Sequence, residues 1–226
     1  MANILCIETA NAITSIAISE HGKCVHAKHI LESNKATDNL HILTEALLKE
    51  ASLSFQQIDA IAISSGPGSY TGLRIAAAAA KGFCFSLNIP LIAIPTLESM
   101  VVGAINRYHL NGFDFYFPMI DARRMEVFTT IFSKEIEIEK TFSSLIINDD
   151  FKNLLNFNKK YLVFGNGAAK IKSIIDFTNI TIFEGFTPSS EDLCLLAFQR
   201  YLRSQFEDIA YFEPNYYKAF YSTYIK

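Results

Sequence analysis

Residues 58–87 read IDAIAISSGPGSYTGLRIAAAAAKGFCFSL, and this stretch constrains the fold more than any other. A continuous apolar run leads into a turn carrying Gly66, Gly68 and Gly72, and the turn opens onto a helix with five alanines in a row, positions 76–80. An apolar run without alternation is the pattern of a strand covered on both faces. In the helix, Leu73, Ile75, Phe83, Cys84 and Phe85 are apolar, and the alanines fill every remaining direction. A helix apolar all round is buried on more than one side. A chain with both features must layer helices on a sheet.

The flanking segments extend this plan. NILCIETANAITSIAISEHGKCVHAKHI contains three short strands, with turns at residues 8–13 and at His21-Gly22. Residues 38–51 have helical period, with Leu40, Leu43, Leu47 and Leu48 on one face. After the alanine-rich helix, ending near Asn88, PLIAIP reads as another strand. Thr96 is a candidate N-cap for a helix running to about Tyr108.

The second half restarts the plan. FYFPMIDARRMEVFTTIF is strand, acidic turn, strand, as is ILCIETANAITSIAI, with Glu8 and Asp121 in equivalent places. KKYLVFGNGAAKIKSII is strand, glycine turn, helix. Ser189 or Ser190 is placed to cap a last helix through about Ser204. The expected fold is therefore α/β and two-lobed, of the actin-like (ASKHA, ribonuclease-H-like) class, with duplicated mixed sheets and flanking helices. The lobes are expected at residues 1–100 and 101–226. The aromatic tail YFEPNYYKAFYSTYIK is too apolar for solvent and is expected to pack back on one lobe.

Of the 226 residues, 50% are hydrophobic and 19% charged, ample for two cores, and the net charge of −3 supplies no global basic field for nucleic acid. The four cysteines form no C-x-x-C pair and are read as reduced, buried thiols. No secretory leader is evident, and no apolar run reaches the roughly 20 residues that span a bilayer. A cytoplasmic protein without a membrane segment is expected.

The turn Gly66-Pro67-Gly68-Ser69-Tyr70-Thr71-Gly72 is neither nucleotide fingerprint. G-x-G-x-x-G would need glycine at Thr71, and no Lys-Ser/Thr pair follows the last glycine. Two readings remain. The helix N-terminus and Arg74 offer an anion site. Alternatively Gly66, Pro67, Gly68 and Gly72 form a structural turn that launches the helix and lets backbones approach. In the second hairpin, Arg123 and Arg124 suit an anion or a partner's carboxylate and equally suit solvated turn positions, with Asp121 and Glu126 available to pair with or cap them. Arg74, Asp121, Arg123 and Arg124 are thus candidate anion or interface contacts.

ISSGPGSYTGLRIAAAAAKG, PLIAIPTLES, IDARRMEVF and PSSEDLCLLA together resemble the TsaB (YeaZ) family, over nearly the whole chain and most closely over residues 61–98. The resemblance implies a subunit of the bacterial machinery that makes threonylcarbamoyladenosine on tRNA, paralogous to the catalytic subunit TsaD. In TsaD-type sequences an H-x-x-x-H segment helps bind metal, and Thr96 and Met100 stand at those two places here, a poor ligand pair for a hard or borderline cation. Many family members have His-Ser-Glu before the first helix, where this chain has Ala36-Thr37-Asp38. His21, His26, His29, His41 and His109 offer no ligand set, and no nucleophile constellation stands out.

The chain is accordingly expected to be no enzyme by itself, to hold no metal or cofactor, and to have no catalytic residue. The resemblance implies that it binds TsaD through first-lobe helices, meets the ATPase TsaE and tRNA through the complex, and forms a homodimer when alone. Leu40, Leu43, Leu47, Leu73, Ala76, Ala77 and Ala80 are the expected partner-binding residues, and Ala77→Arg is expected to abolish association without unfolding the subunit. Three rival readings are an actin-like small-molecule kinase, a metallopeptidase relative, and a structural homodimer without a tRNA role.

Overall fold

A computed structural model describes residues 2–30, 40–172, 174 and 178–217. Strands β1 (Asn3–Glu8), β2 (Thr14–Glu20) and β3 (Lys23–Ile30) form an antiparallel meander. Helix α1 (Leu40–Glu50) follows, then β4 (Ala60–Ser64), α2 (Tyr70–Leu87), β5 (Leu91–Ile94) and α3 (Thr96–Asn106). β4 pairs parallel with β1 and β5 with β4, giving the order β3-β2-β1-β4-β5.

The second half repeats the order. β6 (Phe115–Asp121), β7 (Glu126–Ser133) and β8 (Ile138–Ile146) are antiparallel, and β9 (Tyr161–Phe164) and β10 (Ile180–Phe183) pair parallel beyond β6. The resulting sheet, β8-β7-β6-β9-β10, matches the first position for position. The duplication read from the two hairpins is thus present in both sheets. The helices are not duplicated equally: after the Gly165-Asn166-Gly167 turn the expected helix is a short 3-10 turn, Ala168–Ile171, with residues 173 and 175–177 outside the described part.

Strand alternation sorts the first sheet's side chains onto two faces. Leu5, Ile7, Ile16, Ile18, Ile61 and Ile63 meet α1 and α2. Ile4, Cys6, Ala17, Ala62, Ile92 and Ile94 meet Val102 of α3 and the last helix, α4 (Cys194–Leu202). The second sheet turns Tyr116, Ile120, Leu162 and Phe164 toward Leu97, Met100, Val101 and Ala104 of α3, which therefore lies between the sheets. Its far face, with Phe117, Met119 and Val163, closes over Phe151 and Ile171.

Several sequence expectations need correction. Pro95, not Thr96, is the N-cap of α3, and Thr96 is its first helical residue. Cys6, Cys84 and Cys194 are buried, but Cys24 is exposed on the edge strand β3. The last helix begins as a 3-10 turn, Ser190–Leu193, capped by Ser189, and α4 crosses the first sheet although its residues follow the second. The tail also returns to the first lobe: Glu207 pairs with Leu91, and Phe212 enters the core under α2. The start of the helix expected from Asp38, and Ala36-Thr37-Asp38, lie outside the described residues.

Candidate functional site

The glycine turn and the β1–β2 hairpin meet backbone to backbone. The Ser69 N–H donates to the Ala10 carbonyl at 2.7 Å, and the Thr9 hydroxyl donates to the Gly72 carbonyl at 2.9 Å. The Ser69 side chain accepts from the Gly72 N–H at 3.2 Å, capping α2. A Cβ at Gly68 would stand 2.5 Å from Ala10, and one at Gly72 would collide with the Thr9 carbonyl oxygen. Gly66 has φ +106°, open to glycine at least cost, and a Cβ there would lie 2.6 Å from the Asn215 carbonyl oxygen. Gly66 and Thr96 exchange bonds, N–H to Oγ1 at 3.2 Å and Thr96 N–H to carbonyl at 2.9 Å. At the start of α2 the Ser69 N–H is thus taken by the hairpin and the Gly72 N–H by the Ser69 hydroxyl.

Beside this turn lies a buried polar cluster that sequence reading missed. Glu8 is fully buried, and its Oε1 accepts the Ala10 N–H at 2.6 Å. Burial pushes its carboxyl up to about 7, against the backbone hydrogen bond from Ala10, with the Asp192 charge adding to the rise. Glu8 Oε2, Ser64 Oγ and Ser190 Oγ are buried without a hydrogen-bond partner among the described residues. The Ser190 N–H donates to Ser15 Oγ at 2.9 Å, which ties the 3-10 turn to the strand paired with Glu8.

Asp192 is 3% exposed and takes Arg107 on both oxygens, Nε to Oδ1 at 2.9 Å and Nη2 to Oδ2 at 2.8 Å. Burial raises the Asp192 carboxyl despite the lowering effect of Arg107. Burial also works against the Arg107 charge, but Asp192 outweighs it and the guanidinium is held more firmly protonated than usual. The only sequence signal for this acid was its place three residues after the capping Ser189, whose N–H it accepts at 3.0 Å.

In the second hairpin, Asp121 binds Lys170 Nζ at 2.6 Å and accepts the Arg123 N–H at 2.6 Å. Burial raises its carboxyl, but Lys170 and the Arg123 N–H overcome that and hold it below the usual carboxylate range. Its ion-pair partner is thus Lys170, which also donates to the Glu126 carbonyl at 2.7 Å, while Glu126 Oε2 accepts the Ser144 hydroxyl at 2.7 Å. Arg123 and Arg124 are exposed. Arg74 lies 5.3 Å above the Tyr70 ring, and Tyr216 of the tail packs on the same ring at 4.8 Å.

The expected partner-binding residues require a correction. Leu40, Leu47, Ala76, Ala77 and Ala80 are all buried in the chain's own core with Leu43 partly buried against it, and Leu73 is buried as well. They pack α1 and α2 onto the sheet and onto each other. The exposed side of α2 is a different set, Arg74, Ala78, Gly82 and Phe85, the last 80% exposed, and α1 adds Ile42 at 53%. Gly82 has nothing within 4 Å of where its Cβ would be. Periodicity marked the helix as two-sided, but not which alanines face outward.

Thr96 and Met100 both point inward. Thr96 is buried and bonded to Gly66, and Met100 is 1% exposed against the second sheet. Among the described residues no cluster of three or more His, Cys, Asp or Glu could hold a metal ion, and no helix is long and apolar enough to cross a membrane.

Two mixed sheets of equal order, with flanking helices, define an α/β protein of the actin-like, ribonuclease-H-like class. The solved structure of YeaZ from Pseudomonas aeruginosa superposes with a TM-score of 0.80 at 23% identity, covering 96% of this chain and 100% of that one. The sequence model of the family described as "TsaD: tRNA N6-adenosine threonylcarbamoyltransferase" matches residues 31–219. The Escherichia coli K12 "tRNA threonylcarbamoyladenosine biosynthesis protein TsaB" is 26% identical over 94% of this chain and 93% of its own length. The Bacillus subtilis protein of the same name is 29% identical over 76% and 75%. The chain belongs to the TsaD family and, within it, to the TsaB (YeaZ) group.

Proposed function

We propose that this chain is a noncatalytic subunit in the synthesis of threonylcarbamoyladenosine on tRNA, one that binds a TsaD-type transferase and supports its active arrangement. Its relatives are named for that pathway. The observation that carries the noncatalytic reading is the pairing of the glycine turn with the hairpin, which takes the Ser69 N–H on Ala10 and the Gly72 carbonyl on Thr9. The positions of Thr96 and Met100, spent on turn and core, supply no ligand pair.

The partner surface in this reading is the outer side of α1 and α2, with Ile42, Ala78, Gly82 and Phe85 in place of the buried alanines. Small residues flanked by exposed large ones let a second helix pair approach closely. The same face serves a second copy when the transferase is absent. Arg74 stands at its edge. Residues 1–100 carry this surface, and the cytoplasm is the compartment that tRNA modification implies. The ATPase TsaE and tRNA join through the assembled complex.

Reconstitution tests the proposal. Formation of threonylcarbamoyladenosine by TsaD and TsaE on tRNA should depend on adding this chain, and the chain alone should form none. Modification that proceeds equally without it would remove the proposed role.

A further inference from the structure

Among the described residues eight non-glycine positions have positive φ, and Arg123 (+70°) and Arg124 (+47°) are the only adjacent pair. A left-handed backbone costs free energy at every residue with a Cβ, and asparagine followed by glycine is the pair that adopts it most cheaply. Here the hairpin carries two arginines instead. Backbone strain of this kind persists where the side chains have work to do. The acid next to them is already committed, because Asp121 holds Lys170 at 2.6 Å and the Arg123 N–H at 2.6 Å. Both guanidinium groups reach solvent on a chain whose net charge is −3, so they make a local cationic point on an acidic protein.

The surroundings of this hairpin favour one ligand chemistry. Phe128, four residues beyond Arg124, packs on Tyr217 of the tail at 5.9 Å. The adjacent Tyr216, 37% exposed, packs on Tyr70, and exposed Arg74 lies over that ring. Consecutive tail tyrosines thus set one ring beside Arg74 and Tyr70 and the other on Phe128, in the strand that follows the arginine turn. Aromatic faces interleaved with cations are what single-stranded nucleic acid uses, stacking its bases and neutralising its phosphates. A carboxylate-bearing protein partner would need only the cations.

We propose that Arg123 and Arg124 form a phosphate-contacting turn for the RNA backbone, with Arg74, beside Tyr70 and Tyr216, as a second contact. The inference rests on the reading of this chain as a tRNA-modification subunit and names its own contact with the RNA.

The test is the double variant Arg123→Asn, Arg124→Gly, which keeps the turn and removes both charges. In the complex assembled with TsaD, affinity for a substrate tRNA is read by fluorescence anisotropy across a salt series. The variant chain should melt at a higher temperature than the wild type, yet its complex should bind tRNA about tenfold more weakly, with the salt slope shallower by roughly 1.4 for two lost phosphate contacts. Arg123→Lys, Arg124→Lys should retain most of the affinity. A variant with raised melting temperature and unchanged affinity and slope would overturn the inference, leaving solvated turn residues. Loss of assembly with TsaD would overturn it too, assigning the arginines to a protein contact. If omitting the whole chain leaves modification intact, the underlying functional reading falls; if omission abolishes modification while the variant binds tRNA normally, this inference alone falls.

Discussion

The Thr9 hydroxyl donates to the Gly72 carbonyl at 2.9 Å, joining the first hairpin to the first turn of α2. This contact gives a turn with three glycines a structural use. Gly68 and Gly72 are what let the hairpin come so close to the turn.

The glycines of α2 should therefore respond oppositely to the same change. Gly72→Ala drives a Cβ into the Thr9 carbonyl oxygen, which is backbone and cannot swing aside. It should cost about 1–3 kcal/mol in chemical denaturation, the usual range for overpacking. Gly82→Ala meets open space on the outer face and should stabilise by about 0.5–1 kcal/mol, the helix-interior difference between the two residues. Equal effects at the two sites would show that the hairpin does not rest on the turn.

Glu8 should make the fold less stable as pH rises. Its carboxyl titrates near 7 in the folded chain against 4.5 ordinarily. Between these values the unfolded chain releases a proton that the folded chain retains, so stability falls through that window and levels off above about pH 7. The full loss is about 3 kcal/mol, at 1.36 kcal/mol per pH unit. Glu8→Gln retains an acceptor for the Ala10 N–H and carries no charge. Denaturation midpoints at pH 4.5 and 7.5 should converge in that variant relative to wild type, whereas an unaltered pH difference would mean that Glu8 is already ionised in the native state.

The duplicated sheets were legible in the sequence because each half repeats an apolar strand ending in an acid, at Glu8 and Asp121, and strand period survives in short runs. The last helix was legible from its capping Ser189, but the one expected after the Gly165-Asn166-Gly167 turn is only Ala168–Ile171, too few residues to display a period. Asp192 and Arg107 were illegible for a different reason. They lie 85 residues apart, on a 3-10 turn and at the end of α3, and only the packing of α4 across the first sheet brings them together. The alanines of α2 fall between these cases. Composition marked the helix as small-faced on both sides, but an alanine gives no sign of its direction when its neighbours are alanines.

That ambiguity yields the sharpest test of the partner surface, because adjacent residues should fail in different ways. Ala77 is 6% exposed in the core between α2 and the sheet, so Ala77→Arg buries a guanidinium without a partner. The expectation of a folded but unassociated subunit does not survive for that variant; it should lower the melting temperature sharply and lose association only as a consequence. Ala78 is exposed one position along, and Ala78→Arg should leave the melting temperature within a degree or two while abolishing both the homodimer and the TsaD complex on a sizing column. Phe85→Glu, at the end of the same face, should weaken both assemblies without unfolding the chain. An Ala78→Arg subunit that still elutes with TsaD would move the interface away from α2 altogether, whatever Ala77→Arg does.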